Sequence, residues 1–238
     1  KKTSLKEYAL IKRMGKAAIT LEENDSILSA VITDGAQDIM VFGSNGKALR
    51  FDENEVRPMG RAARGVMTMR LPEGHKCISM FAVHADTNMD VLTVCANGYG
   101  KRTPLSEYPK HGRRSQGKIA IAVSERNGDL VSATLVNVED TVLVLTNSGR
   151  VIRTTVESIR QSGRATQGVK LIETLDDVVL SVTRVANEDS DDISTDAESH
   201  AASDLEVPHE GAHEAAPQGE DVPVTGELDL GEPDESDR

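Results

Sequence analysis

The chain has 238 residues, with 27 Lys and Arg against 39 Asp and Glu, a net charge of −12, no Trp, and only three Tyr and three Phe. The total hides an asymmetry: residues 1–186 hold 26 of the basic residues and 21 acids, a net +5, whereas residues 187–238 hold 18 acids and the single Arg238, a net −17. A basic body with an acidic tail points to nucleic acid as partner, and the absence of a long apolar run, a leader pattern or a CxxC spacing argues against membrane-spanning, secreted and zinc-ribbon classes.

In chain order, residues 1–37 read as the second half of a β unit: strands at Lys1–Tyr8, Lys16–Leu21 and Ile27–Ile32 around a basic loop, Lys12-Arg13-Met14-Gly15-Lys16. The first hairpin of that unit is expected upstream of Lys1, so the chain reads as a piece of a longer protein. The unit then recurs three times, over 38–65, 90–117 and 140–168, with Gly46, Gly98 and Gly149 spaced 52 and 51 residues apart. A fixed period of this length marks a repeat architecture.

The last copy is the plainest. Asp140–Thr146 is a β-branched and leucine run suited to a buried strand, Asn147-Ser148-Gly149 is a turn, and Val151–Thr154 is the return strand. Ile39–Phe51 and Val91–Thr103 repeat this hairpin. A Gly- and Arg-rich loop follows each, then a further strand (Gly65–Leu71, Gly117–Val123, Gly168–Ile172) and a closing one (Cys77–Val83, Leu130–Val136, Val178–Val185). About four short strands per period and no amphipathic helical stretch predict an all-β fold of propeller-like blades, roughly 1–37, 38–89, 90–139 and 140–186. Residues 187–238, with four Pro and no aromatic residue, are expected to be disordered. Cys77 and Cys95 fall on apolar runs and are expected to be buried, reduced thiols of a cytoplasmic protein.

The chemistry lies in the loops: Arg57-Pro-Met-Gly-Arg61-Ala-Ala-Arg64-Gly65, Pro109-Lys110-His-Gly-Arg113-Arg114-Ser-Gln-Gly117 and Arg160-Gln-Ser-Gly-Arg164-Ala-Thr-Gln-Gly168. Arg61, Arg113 and Arg164 share one register. Arg50, Arg102 and Arg153 share a second, in the hairpin, with Lys47, Lys101 and Arg150 beside it. Glycines let a backbone approach phosphate closely, and arginine presents a planar fork that matches phosphate oxygens. With no aromatic residue in the loops, stacking on single-stranded bases gives way to duplex phosphates as the target. The predicted DNA contacts are Lys12, Arg13, Lys16, Lys47, Arg50, Arg57, Arg61, Arg64, Lys101, Arg102, Lys110, Arg113, Arg114, Lys118, Arg150, Arg153, Arg160 and Arg164.

Other signals are weaker. Gly43-Ser-Asn-Gly46-Lys47 lacks the full spacing of a phosphate loop and sits in a hairpin. Tyr8 and Tyr108 occupy matching repeat positions, which argues for packing, and Tyr99 has no base or acid paired with it. His75, His84 and His111 have no metal-ligand spacing, and no catalytic constellation is found.

Gly98-Tyr-Gly-Lys-Arg-Thr-Pro-Leu-Ser-Glu-Tyr108, the turn Ser124-Glu-Arg-Asn-Gly128 and Thr166-Gln-Gly-Val169 closely resemble the C-terminal domain of bacterial DNA gyrase A, over residues 1 to about 186. The acidic tail fits the proteobacterial type. The resemblance implies a β-pinwheel whose neighbouring blades exchange strands and whose basic rim wraps duplex DNA. It implies partners in the rest of gyrase A and in gyrase B, in an A2B2 complex on the bacterial chromosome, an ATP-dependent type II topoisomerase introducing negative supercoils. ATP and Mg2+ would be used by the holoenzyme, with no cofactor and no catalytic residue in this piece. The QRRGGKG motif of the family's first blade has no copy here; His111-Gly-Arg-Arg-Ser-Gln-Gly-Lys118 is a degenerate relative of it in a later blade. Two other readings stay open: the DNA-bending C-terminal domain of the corresponding topoisomerase IV protein, and a protein-binding propeller. The tail would act either as an internal DNA mimic or as a solubilising segment.

Overall fold

The computed structural model describes residues 1–10, 14–174 and 177–185. The acidic segment 187–238, together with Lys12 and Arg13 of the first basic loop, lies outside them.

Three hairpins form where the repeated apolar runs predict them. They are β1 (Gln37–Gly43) with β2 (Lys47–Asp52), β4 (Asp90–Cys95) with β5 (Tyr99–Pro104), and β8 (Thr141–Thr146) with β9 (Val151–Thr155). Their turns hold Gly46, Gly98 and Gly149 at φ of 73°, 78° and 84°, a region side chains resist. A third strand pairs with the first strand of each hairpin: β3 (Cys77–His84) with β1, β7 (Leu130–Val136) with β4, and β11 (Val179–Val185) with β8.

The fourth strand comes from the next repeat. β6 (Lys118–Ile119) pairs with β2, and β10 (Val169–Lys170) pairs with β5, giving sheets β3-β1-β2-β6, β10-β5-β4-β7 and β11-β8-β9. The glycine before each exchanged strand is fixed by the crossing. A Cβ on Gly117 would lie 2.6 Å from the Ala48 carbonyl oxygen, and one on Gly168 2.6 Å from that of Gly100.

Several expected strands are corrected. Leu5–Tyr8 is a 3-10 turn, and Lys16–Leu21 and Ile27–Ile32 join no ladder. Gly65–Leu71 makes only an isolated bridge, Met69 to Ser115, and Gly117–Val123 and Gly168–Ile172 shrink to the two-residue β6 and β10. A strand needs a neighbour for its N–H and C=O groups; β6 and β10 find it in the preceding hairpin rather than their own, whereas Lys16–Leu21 and Ile27–Ile32 pair with no strand among the described residues. For Gly65 that neighbour is Lys1 itself, 3.3 Å from a Cβ built on the glycine.

The core lies between blades. Met40, Phe42 and Val83 of the first sheet pack with Val91, Cys95, Leu105, Tyr108, Ile121 and Leu130. Leu92, Val94 and Val136 of the second pack with Val142, Val144, Val156, Ile159 and Ile172. Phe42 lies tilted against Phe81 at 5.4 Å and meets Tyr108 edge-on at 6.3 Å, so three of the aromatic rings serve one seam, while Phe51 packs within its own repeat with Val41, Leu49, Val56 and Met69. Cys95 is buried as expected and burial pushes its thiol up to about 12, whereas Cys77 is exposed at the bulge where β3 leaves β1, correcting the expectation for that residue.

Candidate nucleic-acid interface

The basic loops are strapped along the preceding hairpin. Lys2, Arg50 and Arg102 form parallel backbone bridges with Pro58, Lys110 and Gln161, one residue of each successive loop. Amides of the loops close onto the same strands: Met59 N–H donates to Lys2 O at 2.8 Å, His111 N–H to Arg50 O at 2.8 Å and Ser162 N–H to Arg102 O at 2.9 Å. Each loop is therefore a seam between blades as well as a basic surface.

The arginine register inside the loops is built identically three times. Nη1 of Arg61, Arg113 and Arg164 donates to the carbonyls of Ala17 (2.9 Å), Met67 (3.3 Å) and Ile119 (3.1 Å). Each acceptor lies two residues past Gly15, Gly65 or Gly117. The backbone N–H of Arg113 and Arg164 is in turn held by Glu55 (3.1 Å) and Glu107 (3.2 Å), which follow the hairpins in 3-10 turns. The Nε of all three arginines is buried without a hydrogen-bond partner. One Nη of each fork is thus anchored to protein, with the Nε enclosed behind it.

The hairpin register is structural. Arg50 is 7% exposed; its Nη2 lies 2.8 Å from the Asp38 carboxylate, and its Nη1 donates to the carbonyls of Leu105 and Tyr108 at 3.3 Å. Arg102 repeats this with Asp90 at 2.9 Å and the Ile159 carbonyl at 2.7 Å. Lys101 is fully buried, its ammonium turned onto backbone carbonyls. Arg50 and Lys101 have no surface to offer a phosphate, and Arg102 is committed to protein, so these three leave the predicted set. Lys101 is also out of register with Lys47 and Arg150: it pairs with Thr93 as Leu49 pairs with Val41 and Ile152 with Val144. Arg153 breaks the series. Asp140 is taken by Arg184 at 2.6 Å, and Arg153 stands exposed on β9.

The remaining predicted cations are at the surface or half-buried. Arg57, Arg64, Lys110, Arg114, Lys118, Arg150 and Arg160 are exposed. Lys16 is half-buried, as is Lys47, whose ammonium bonds Gln116 at 3.3 Å. Lys110 spans 2.7 Å to Asp38, Arg64 pairs with exposed Glu22, and Arg150 donates to the Glu173 carbonyl. Arg57, Arg114, Lys118, Arg153 and Arg160 make no side-chain hydrogen bond or ion pair among the described residues. Sequence reasoning missed Glu55 and Glu107, although their recurrence after the first two hairpins was readable. Among the described residues no group of three or more His, Cys, Asp or Glu is arranged to hold a metal, and no helix is long and apolar enough to cross a membrane.

The family described as the DNA gyrase C-terminal domain, a beta-propeller, matches residues 1–34, 37–84, 90–137 and 140–186. DNA gyrase A of Pseudomonas aeruginosa is 44% identical over 180 residues, covering 76% of this chain and 19% of the relative. A solved C-terminal domain of DNA topoisomerase IV superposes with a TM-score of 0.71 at 26% identity, over 77% of this chain and 57% of that one. A solved DNA gyrase A C-terminal domain does so with a TM-score of 0.66 at 26% identity, over 73% and 59%. The chain spans about a fifth of the length of the curated relatives it matches.

Proposed function

From the premise that the chain belongs to the DNA gyrase C-terminal domain family, we propose that it binds duplex DNA without reading sequence and bends it along the row of basic loops. It would do so as part of an ATP-dependent type II topoisomerase that introduces negative supercoils, with the catalytic and nucleotide sites in other segments. The observation that carries the reading is the threefold recurrence of one loop geometry, at Arg61, Arg113 and Arg164, with unpaired cations beside it. Bending a duplex costs on the order of 1–6 kcal/mol per 20–30 bp, so a single loop does not hold the bend; loops repeated at one register distribute it. Arg57, Arg114, Lys118 and Arg160 supply free charges, and the anchored arginines set their spacing.

The partners in this reading are duplex DNA, the rest of gyrase A and gyrase B in an A2B2 assembly, in the bacterial cytoplasm on the chromosome. ATP and Mg2+ would act elsewhere in that assembly. The 17 net negative charges of residues 187–238, tethered to a basic body, would compete with DNA at millimolar-scale effective concentration.

Titration of a duplex with this chain at several salt concentrations tests the reading. Phosphate contact gives an affinity that falls by about 0.9 log unit per log salt for each phosphate neutralised. A salt-independent affinity, or none, sinks it in favour of a protein-binding propeller. Ligation of nicked circular DNA in its presence separates wrapping from simple bending: a change in linking number supports the gyrase type, and none supports the topoisomerase IV type.

A further inference from the structure

The last basic loop, residues 160–168, is held from inside the fold. Lys101, fully buried on β5, donates from its ammonium to the carbonyls of Gly163 and Arg164, the second at 2.6 Å. The arrangement recurs at the start of the chain: the Lys1 ammonium donates to the carbonyls of Gly60 (2.9 Å), Arg61 and Ala63 (3.1 Å) in loop 57–65. The repeat between them has Leu49 at the matching ladder position. A leucine thus satisfies the packing of that site, and a buried ammonium is costly unless hydrogen-bonded. A lysine is set against the same stretch of loop twice, exposed at Lys1 and buried at Lys101, which calls for a role beyond packing.

Resting on the DNA-binding reading above, we propose that Lys101 is a positioning residue for DNA, holding the Gly163 and Arg164 carbonyls inward so that loop 160–168 presents Arg160 to a phosphate. Carbonyl oxygens repel phosphate, and turning two of them onto a cation removes that repulsion from the loop surface. The rest of the loop is preset around this contact. Thr103 Oγ1 donates to the Ser162 carbonyl at 2.8 Å, and the Arg164 guanidinium lies 5.9 Å over the Tyr108 ring.

The contact carries its own pH dependence. Burial draws the Lys101 ammonium down to about 8, against the attraction of Glu107 and with the repulsion of Arg164. Cys95 also faces it, and burial raises that thiol well above this range; Asp129 acts on Cys95 in turn. Below about 8 the cation holds the loop, and as pH rises through that value the grip on DNA weakens.

The test measures duplex affinity of the whole chain by anisotropy at about pH 7 and about pH 9. Affinity is expected to fall several-fold across that interval, and Arg160→Ala, which removes the positioned group, should abolish most of the fall. Lys101→Met should reduce affinity at the lower pH and flatten the salt slope by about 0.9. Adding Arg160→Ala to it should cost little more, while adding Arg114→Ala costs its full amount. Lys101→Arg, charged throughout, should bind without the pH dependence. An unchanged pH profile in Arg160→Ala, or losses from Lys101→Met and Arg160→Ala that add, overturns the proposal, and the first measurement stands even if no variant at 101 folds. Failure of the unsubstituted chain to bind duplex at the lower pH would instead refute the DNA reading itself.

Discussion

The Glu53 carboxylate lies 2.7 Å from the Lys2 ammonium and is almost fully buried, so one side chain after β2 ties the opening residues to the repeat that follows. The same carboxylate accepts from Thr33 Oγ1 at 2.6 Å and from the Gly35 and Gln37 amides at 2.7 and 3.1 Å. Burial by itself would raise its pKa; the hydrogen bonds from Lys2, Thr33, Gln37 and Gly35 outweigh that and hold it at about 2. A carboxyl depressed in the fold contributes stability that is present above its unfolded pKa and lost as pH falls through the folded one. Glu53→Gln should therefore cost about 2–3 kcal/mol at neutral pH. Its deficit should shrink as pH falls from about 4.5 toward 2. Urea unfolding across that range checks it; a deficit independent of pH would mean that shape, not charge, is lost.

Arg57, Arg114 and Arg160 are exposed cations with no protein partner among the described residues. Each belongs to a different loop, so each should touch a different phosphate. Single Ala substitutions are expected to lower the salt slope by about 0.9 each, and the triple by roughly the sum, with thermal stability unchanged. Equal losses on unrelated duplex sequences would mark phosphate contact rather than base readout.

Arg50 looks like those arginines in the sequence and differs in place. Arg50→Ala leaves Asp38 buried with only Lys110 beside it and leaves the Leu105 and Tyr108 carbonyls without their donor. Removing one partner of a buried pair costs about 3–5 kcal/mol. The expected result is a large drop in the unfolding midpoint, measured by urea titration, with no separate change in salt slope under conditions where the variant is folded.

The contrast between Arg50 and Arg114 marks how far the sequence carries. The period, the hairpins and the loop register were legible because turn glycines and β-branched runs report local backbone needs. Burial of a cation depends on what lies opposite, and that was readable only indirectly: Asp38 and Asp90 precede Arg50 and Arg102 by 12 residues, the span of one hairpin. Strand exchange was not legible from periodicity, since β6 and β10 satisfy the same pattern whether they pair at home or next door; the family resemblance supplied it. The strands expected in 1–37 failed for a complementary reason. Ile27–Ile32 has strand composition, but among the described residues no hairpin lies beside it.

Strand exchange also makes a prediction at its narrowest point. Gly168 sits at φ 78° directly before β10, and a Cβ there would meet the carbonyl oxygen, carbon and Cα of Gly100 at 2.6, 2.9 and 3.3 Å. All three are backbone atoms, so no side-chain rotation relieves the clash, and the left-handed φ adds strain of its own. The two ladder positions Val169–Gly100 and Lys170–Tyr99 then separate. Gly168→Ala should destabilise the second sheet by about 1–3 kcal/mol and speed amide exchange at Val169–Leu171 ahead of β4 and β7. Loop 160–168 ends at this glycine, so its hold on Arg164 loosens as well, and the variant should lose duplex affinity while keeping the contribution of Arg114. Gly149→Ala is the control: its φ is 84° but nothing lies within 4 Å of the added Cβ. It should show the backbone strain without the exchange defect, and equal amide exchange in the two variants would refute a role for the Gly168–Gly100 contact in joining neighbouring blades.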